Sequence, residues 1–372
     1  MNREFKVVQI VPSISLGGAE QMALNLTRVL TEKGLDAQIV SLSGNSEVWN
    51  EVWRKRGLDY NAAYFVGKRQ GPDFSCLRGL FRHLGQIRPR VVHSHMHALR
   101  YLVPCAVRQR QPRYFHTLHS IEKAHRSIAE NVTHAVARSL NIHPIGVSRA
   151  VAKSYEGGGV YRHVPVIENG IDTGRFAFDP GARQETRSML GARDGTVVYV
   201  CVARFHDVKN HLALIRGFLE VLEDGRDLML VLVGDGPTRV EAENLVASRE
   251  QSMRIRFLGA ASDPCKLLAG GDFFVLASKW EGHPLALLEA MSVGLVPIVP
   301  RVGGIPEIVQ DGENGILFEP SRSGELAGAI RASLQMSGRA TMSKLARATI
   351  EKKFSSDAMG MHYLELYGGR AE

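Results

Sequence analysis

At 372 residues the chain exceeds what one hydrophobic core usually organises, so two domains of ordinary size are expected. With 44% hydrophobic and 23% charged residues it is neither disordered nor fibrous, and no apolar run approaches the ~18–20 residues that span a bilayer. The net charge of +8 is uneven: residues 1–165 hold 23 Lys and Arg against 11 Asp and Glu, net +12, while residues 166–372 hold 23 against 27, net −4. A basic half suits nucleic acid, an anionic membrane surface or an anionic small substrate. No helix-turn-helix, zinc-finger or aromatic RNA-binding pattern supports the first of these. The N-terminal apolar stretch is too short for a secretory signal, and Cys76, Cys105, Cys201 and Cys265 have no metal or C-x-x-C spacing. Free thiols in a cytoplasmic, reducing compartment are expected.

In chain order, Phe5 to Val11 reads as a strand, and Gly17-Gly18-Ala-Glu20 leads into an amphipathic helix to about Gly34. Ala37 to Leu42 reads as a second strand, which makes a parallel βαβ opening. Gly17 and Gly18, at a strand-to-helix junction, let backbone N–H groups approach a phosphate or a sugar, although tight turns use the same pair without a ligand. A dinucleotide site fits poorly, because G-x-G-x-x-G is absent and no acidic residue ends the second strand. Arg90-Val-Val-His93-Ser-His95-Met-His97 reads as a strand running into a loop, and its alternating histidines would share one face as zinc ligands do, without a fourth ligand at a suitable spacing. Tyr114 to His119 reads as the next strand end, Ile145 to Ser148 as a strand and turn before a helix from Arg149 to Tyr155, and Val164 to Asp172 as a closing strand. A polar, glycine-containing stretch then runs to about Gly195, which puts a domain boundary near residue 170.

The βα alternation restarts with strands at Thr196–Val202, Leu228–Val233, Ile255–Gly259, Phe273–Ala277 and Val296–Val299. Arg204 and Lys209 lie in the loop after the first of these. After the fourth comes Glu281, then a helix expected from Pro284 at its first position to Val293, with Gly294 as its stop. That helix is apolar nearly all round apart from Glu289 and Ser292, so it should be buried, and a carboxylate inside it needs partners such as ligand hydroxyls.

The run Glu281-Gly-His-Pro-Leu-Ala-Leu-Leu-Glu289-Ala-Met, with Val302-Gly-Gly-Ile-Pro-Glu-Ile-Val309 and Asp311-Gly-Glu-Asn-Gly315, resembles the signature of retaining nucleotide-sugar glycosyltransferases of the GT-B fold, glycosyltransferase family 4. The resemblance implies an α/β protein of two facing Rossmann-like domains with a ligand crevice between them. Residues 1–170 would bind acceptor, 171–353 would bind the nucleotide sugar, and a final helix within 354–372 would pack back on the first domain. It places Arg204 and Lys209 at the diphosphate, Glu289 on the ribose, Glu281 on the donor sugar and His119 beside the reacting centre. The backbone of His283, Pro284, Leu285 and Ala286 would hold sugar and phosphate, with Leu258 at the base and Gly17 and Gly18 completing the donor site. His283 departs from the pattern, where Phe is common. No cofactor and no metal are implied, since fixed cations and a helix N-terminus would stabilise the leaving UDP or GDP. The partners implied are a nucleotide sugar and a glycan or lipid-linked acceptor in cell-surface polysaccharide or glycolipid biosynthesis, with no nucleic acid. The basic residues Arg54-Lys55-Arg56, Lys68, Arg69, Arg88, Arg90, Arg108, Arg110 and Arg113 are expected beside the acceptor face, suited to peripheral contact with the anionic inner face of the cell membrane. The rival readings are a non-catalytic nucleotide-sugar-binding protein and a GT-B epimerase or phosphorylase.

Overall fold

The computed structural model describes residues 5–14, 17–44, 63–69, 71, 73–121, 127–247, 249–322 and 324–368. The chain forms two compact units, residues 1–170 with 356–372, and residues 171–355.

The first unit comprises β1 (Lys6–Ser13), α1 (Gly18–Glu32), β2 (Asp36–Ser43), β3 (Ala63–Phe65), α2 (Phe74–Ile87), β4 (Val91–His95), α3 (Leu99–Arg108), β5 (Arg113–Leu118), α4 (Ile128–Ser139), β6 (Ile142–Gly146) and α5 (Arg149–Gly157). All six strands are parallel, in the order β3-β2-β1-β4-β5-β6. Helices cover both faces of such a sheet, which is why β1 and β4 bury consecutive residues on both sides, in β4 the polar His93, Ser94 and His95 included. The C-terminal helix (Ser356–Leu366) docks on α1, where Gly360 lies so close to Val29 that an added Cβ would fall 2.3 Å from a Val29 methyl.

The second unit comprises α6 (Pro180–Leu190), β7 (Val197–Val202), α7 (His211–Leu222), β8 (Leu228–Val233), α8 (Arg239–Ala247), β9 (Ile255–Gly259), α9 (Cys265–Ala269), β10 (Phe273–Val275), α10 (Leu285–Val293), β11 (Val296–Pro300), α11 (Ile305–Ile308), β12 (Ile316–Phe318), α12 (Glu325–Leu334) and α13 (Arg339–Lys353). Its strands run in the order β12-β11-β10-β7-β8-β9, again all parallel. The chain steps outward from β7 to β9, then returns to the other side of β7 for β10. The second sheet therefore reverses between β7 and β10, and the first between β1 and β4. Ligands of open α/β sheets bind beyond the carboxyl ends of strands at such a reversal.

Three expectations are corrected, and two strands are added. Residues 164–172 form isolated bridges, Gly146 to Val166 and Ile171 to Ser355, rather than a strand; Pro165 has no N–H to extend a ladder. The short strands β3 and β12 carry no detectable periodicity in three residues. Pro284 is the N-cap of α10, with extended backbone, and the helix begins at Leu285. Arg88, Arg90, Arg108 and Arg110 precede β4 and β5 and Arg113 is the first residue of β5, so all five lie at the amino edge of the first sheet, where helix-to-strand connections return; of the cations named, only Lys68 and Arg69 follow a strand, at the carboxyl edge. Arg54, Lys55 and Arg56 lie outside the described residues.

Candidate functional site

The loops after β7 and β10 meet at the reversal point of the second sheet. After β7 the backbone passes Arg204 and forms a 3-10 turn, Asp207–Lys209, before Asn210 in a left-handed conformation starts α7. After β10 it passes Ser278, Lys279 and Glu281 and enters α10. The loops are fastened by the Lys279 N–H donating to Val208 O (2.8 Å) and by the Lys279 ammonium on both Asp207 carboxylate oxygens (2.8 Å each).

Glu281 is 6% exposed, and its Oε1 accepts from Lys209 Nζ (2.5 Å) and from the Ser278 hydroxyl (2.6 Å). Its main chain is fixed from the other side by the Val302-Gly303-Gly304 turn. Gly304 N–H donates to Glu281 O (3.2 Å), and Gly303, at φ +53°, approaches so closely that an added Cβ would fall 1.8 Å from that oxygen. Gly234 takes a comparable place under Ala203 O at the end of β8, which sets the backbone that carries Arg204. Arg204 is exposed and has no ion-pair partner among the described residues.

Helix α10 is buried as its composition requires, and Glu289 in its second turn is 5% exposed. Its first intrahelical bond is donated by Leu287 to Pro284 O (3.2 Å), so the N–H groups of Leu285 and Ala286 lie ahead of the helical ladder at its positive end. His283 is buried with its ring on Phe354 (centroids 5.3 Å apart), and burial pushes its pKa down to about 3, so it is neutral. Leu258, at the end of β9, is partly exposed. Behind the Arg204–Lys209 loop, His211 stacks on Phe205 with ring centroids 4.0 Å apart.

Sequence reasoning named Arg204, Lys209, Glu281, His283 and Glu289 but missed Ser278, the Asp207–Lys279 clasp and the buttress at Gly303. It gave no sign that Lys209 and Glu281 pair with each other. Spacing along the chain cannot show that two loops converge.

In the first unit Gly17 caps α1 with extended backbone, its carbonyl accepting from Gln21 N–H (3.0 Å), and both Gly17 and Gly18 are exposed. His119 follows β5, and its Nε2 lies 3.0 Å from His95 Nδ1. The three histidines considered as zinc ligands do not converge. Both His93 nitrogens are engaged, with Tyr367 OH (2.5 Å) and Thr117 Oγ1 (2.7 Å), as are both of His95, while His97 is exposed on the turn after β4. Among the described residues no group of three His, Cys, Asp or Glu is arranged for a metal. Burial holds His93, His95 and His116 well below the usual histidine range, and His119 at about 3. The four cysteines are free thiols, Cys201 and Cys105 pushed up to about 12 by burial, so neither is a ready nucleophile. A cavity of about 620 Å3 opens beyond the carboxyl ends of β1 and β2, with Leu42, Phe74, Leu77 and Tyr101 forming an apolar lining and Lys68, Arg100, His97 and Asp73 a polar one.

The chain matches the family model of glycosyl transferases group 1 over residues 182–352 and that of glycosyltransferase family 4 over residues 16–175. It is 31% identical to N-acetyl-alpha-D-glucosaminyl L-malate synthase of Bacillus anthracis over 55% of this chain and 54% of that protein. It is 33% identical to the Escherichia coli UDP-Gal:alpha-D-GlcNAc-diphosphoundecaprenol alpha-1,3-galactosyltransferase over 42% of this chain and 41% of that protein. The chain thus spans about half the length of these curated relatives. Anabaena HepE, solved in complex with UDP-glucose, superposes with a TM-score of 0.85 over 98% of this chain and 99% of that one, at 20% identity, a likeness of fold. With one matched region in each of two Rossmann-like α/β domains of the GT-B kind, the chain belongs to the glycosyltransferases of family 4.

Proposed function

We propose that the protein transfers a hexosyl residue from a nucleoside-diphosphate sugar to a glycan or lipid-linked acceptor, with retention of anomeric configuration and without a metal. The observation that carries this reading is the meeting, at the reversal point of the second sheet, of the loop that carries Arg204, the Lys209–Glu281 pair and the N-terminus of α10. Arg204, Lys209 and the N–H groups of Leu285 and Ala286 receive the diphosphate, whose negative charge grows as the anomeric carbon–oxygen bond breaks. An ammonium has three donors, so Lys209 can hold Glu281 and still reach a phosphate oxygen. Glu281, oriented by Lys209 and Ser278, accepts from hydroxyls of the donor sugar, and Glu289 from those of the ribose. The acceptor hydroxyl attacks the face that the leaving phosphate vacates, and its proton passes to that phosphate, so neither glutamate serves as nucleophile.

The cavity in the first domain joins an apolar lining to two cations, Lys68 and Arg100, against one carboxylate, Asp73, which suits an acceptor that is both greasy and anionic. The Escherichia coli relative, named for a diphosphoundecaprenol acceptor, favours a lipid diphosphate and a role in cell-surface polysaccharide synthesis. The ligand of the Anabaena protein favours uridine as the base.

The test is sugar transfer from UDP- and GDP-sugars to lipid-linked acceptors in EDTA, with the product's anomeric configuration read by NMR. Retained configuration and undiminished transfer in EDTA are expected. Activity lost in EDTA and restored by Mn2+ would overturn the metal-free assignment. Sugar phosphate formed from a glycan and inorganic phosphate, with no nucleotide sugar, would make the protein a phosphorylase.

A further inference from the structure

The three central strands of the first sheet carry a continuous buried chain of polar groups that ends at His119. Tyr367, just beyond the C-terminal helix, places its hydroxyl 3.2 Å from Gln9 Nε2 on β1 and 2.5 Å from His93 Nδ1 on β4. Gln9 Oε1 lies 2.8 Å from His95 Nε2, and His95 Nδ1 lies 3.0 Å from His119 Nε2. His93 Nε2 reaches Thr117 Oγ1 at 2.7 Å, and that oxygen reaches the Tyr363 hydroxyl at 3.2 Å. Gln9, His93, His95 and Thr117 are all 0% exposed, whereas His119 is partly exposed. The chain therefore runs from the docked C-terminal helix to a ring that solvent or a ligand can touch.

We infer that Gln9 and Tyr367 are positioning residues that hold His119 in one neutral tautomer, with Nε2 protonated and Nδ1 bare. Hydroxyls donate and accept alike and a neutral imidazole has two tautomers, but the two ends of an amide differ: its oxygen only accepts and its nitrogen only donates. The orientation of Gln9 thus sets the direction of every bond downstream. Gln9 Oε1 accepts, so His95 carries its proton on Nε2 and its Nδ1 must accept. His119 then donates from Nε2, which leaves Nδ1 as a bare acceptor. On the other side Gln9 Nε2 donates to the Tyr367 oxygen, Tyr367 donates to His93 Nδ1, and His93 donates from Nε2 to Thr117. A reversed Gln9 would invert every bond and give His119 a proton on Nδ1. Burial keeps all three rings neutral, so tautomer rather than charge is the variable that the chain controls.

The consequence rests on the proposed function and on the place beside the reacting centre that the family resemblance implies for His119. A bare Nδ1 accepts from a sugar or acceptor hydroxyl, whereas a protonated one repels that hydroxyl's hydrogen and turns it away. The test uses the full-length protein with 15N-labelled histidine, whose ring shifts distinguish the two tautomers. Wild type should show His119 with bare Nδ1. Tyr367→Phe keeps the ring packing but removes the hydroxyl that orients Gln9, so a second His119 tautomer should appear. Turnover should then fall about tenfold, the size of one misdirected neutral hydrogen bond, with nucleotide affinity unchanged. Gln9→Glu, whose carboxylate only accepts, should keep the wild-type tautomer. A wild-type His119 protonated on Nδ1, or a Tyr367→Phe protein with wild-type tautomer and turnover, would overturn the inference. Wild-type protein that binds nucleotide sugars without transferring sugar would overturn the proposed function instead, and the tautomer assignment would stand.

Discussion

Glu281 and Glu289 stand eight residues apart in different surroundings. Glu281 lies in a loop, held by an ammonium and a hydroxyl and buttressed through its main chain, while Glu289 is enclosed in a helix of apolar neighbours. Replacing Glu289 by Ala should weaken binding of the free nucleoside diphosphate by roughly 2 kcal/mol, some thirtyfold, the size of a charge-assisted hydrogen bond. Replacing Glu281 by Ala should leave that affinity nearly intact and lower turnover by roughly a hundredfold. Calorimetry with the nucleoside diphosphate and rates at saturating donor separate the two, and equal affinity losses with unchanged turnover in both would refute the assignment. The residue types and the spacing were legible in the sequence. The pairing of Glu281 with Lys209 was not, because the two are 72 positions apart and meet only when β7 and β10 become neighbours.

Among the elements, α10 was the most legible: nine residues, apolar apart from Glu289 and Ser292, closed by Gly294 at φ +98°. What the turn after β11 does was invisible, since a Gly-Gly pair signals backbone freedom without saying what needs it. Gly303→Ala should destabilise the protein by roughly 3 kcal/mol, because its Cβ would strike Glu281 O and the left-handed backbone adds strain. It should also lower turnover, by displacing Glu281. Gly312, at φ +77° with open space around its Cβ direction, is the control: Ala there should cost about 1 kcal/mol and leave turnover alone. Denaturant melts and rates on both variants check this, and equal effects would show that Gly303 does not set the position of Glu281.

For the whole molecule, some of the described cations behind the +12 of residues 1–165 are separated by the topology between the two edges of the first sheet. Arg69 and Arg100 share the carboxyl edge with the cavity assigned to the acceptor, while Arg88 and Arg110 lie at the amino edge. If a membrane surface delivers a lipid-linked acceptor, the carboxyl-edge cations must meet it, each contributing about 1 kcal/mol. Binding to anionic but not neutral vesicles at low salt is therefore expected, fading as the screening length falls from ~10 Å at 0.1 M to ~3 Å at 1 M. Arg69→Ser with Arg100→Ser should weaken it more than Arg88→Ser with Arg110→Ser. Equal sedimentation with neutral and anionic vesicles, or none with either, would favour a soluble acceptor. No helix among the described residues is long and apolar enough to cross a membrane.

The sequence by itself determined the α/β class, most of the parallel strands, the buried helix α10 and the identity of the basic and acidic residues around the second sheet. These are local properties, fixed by periodicity, by turn residues and by a run of motifs from Arg204 to Gly315. Tertiary structure alone decided that Lys209 belongs to Glu281, that Gly303 supports it, that Arg88, Arg90, Arg108, Arg110 and Arg113 lie at the amino edge, and that His93 and His95 are members of a hydrogen-bonded chain. Each depends on which strands become neighbours and at which edge a connection returns. A parallel sheet settles both through long-range pairing, which no local pattern of residue types records.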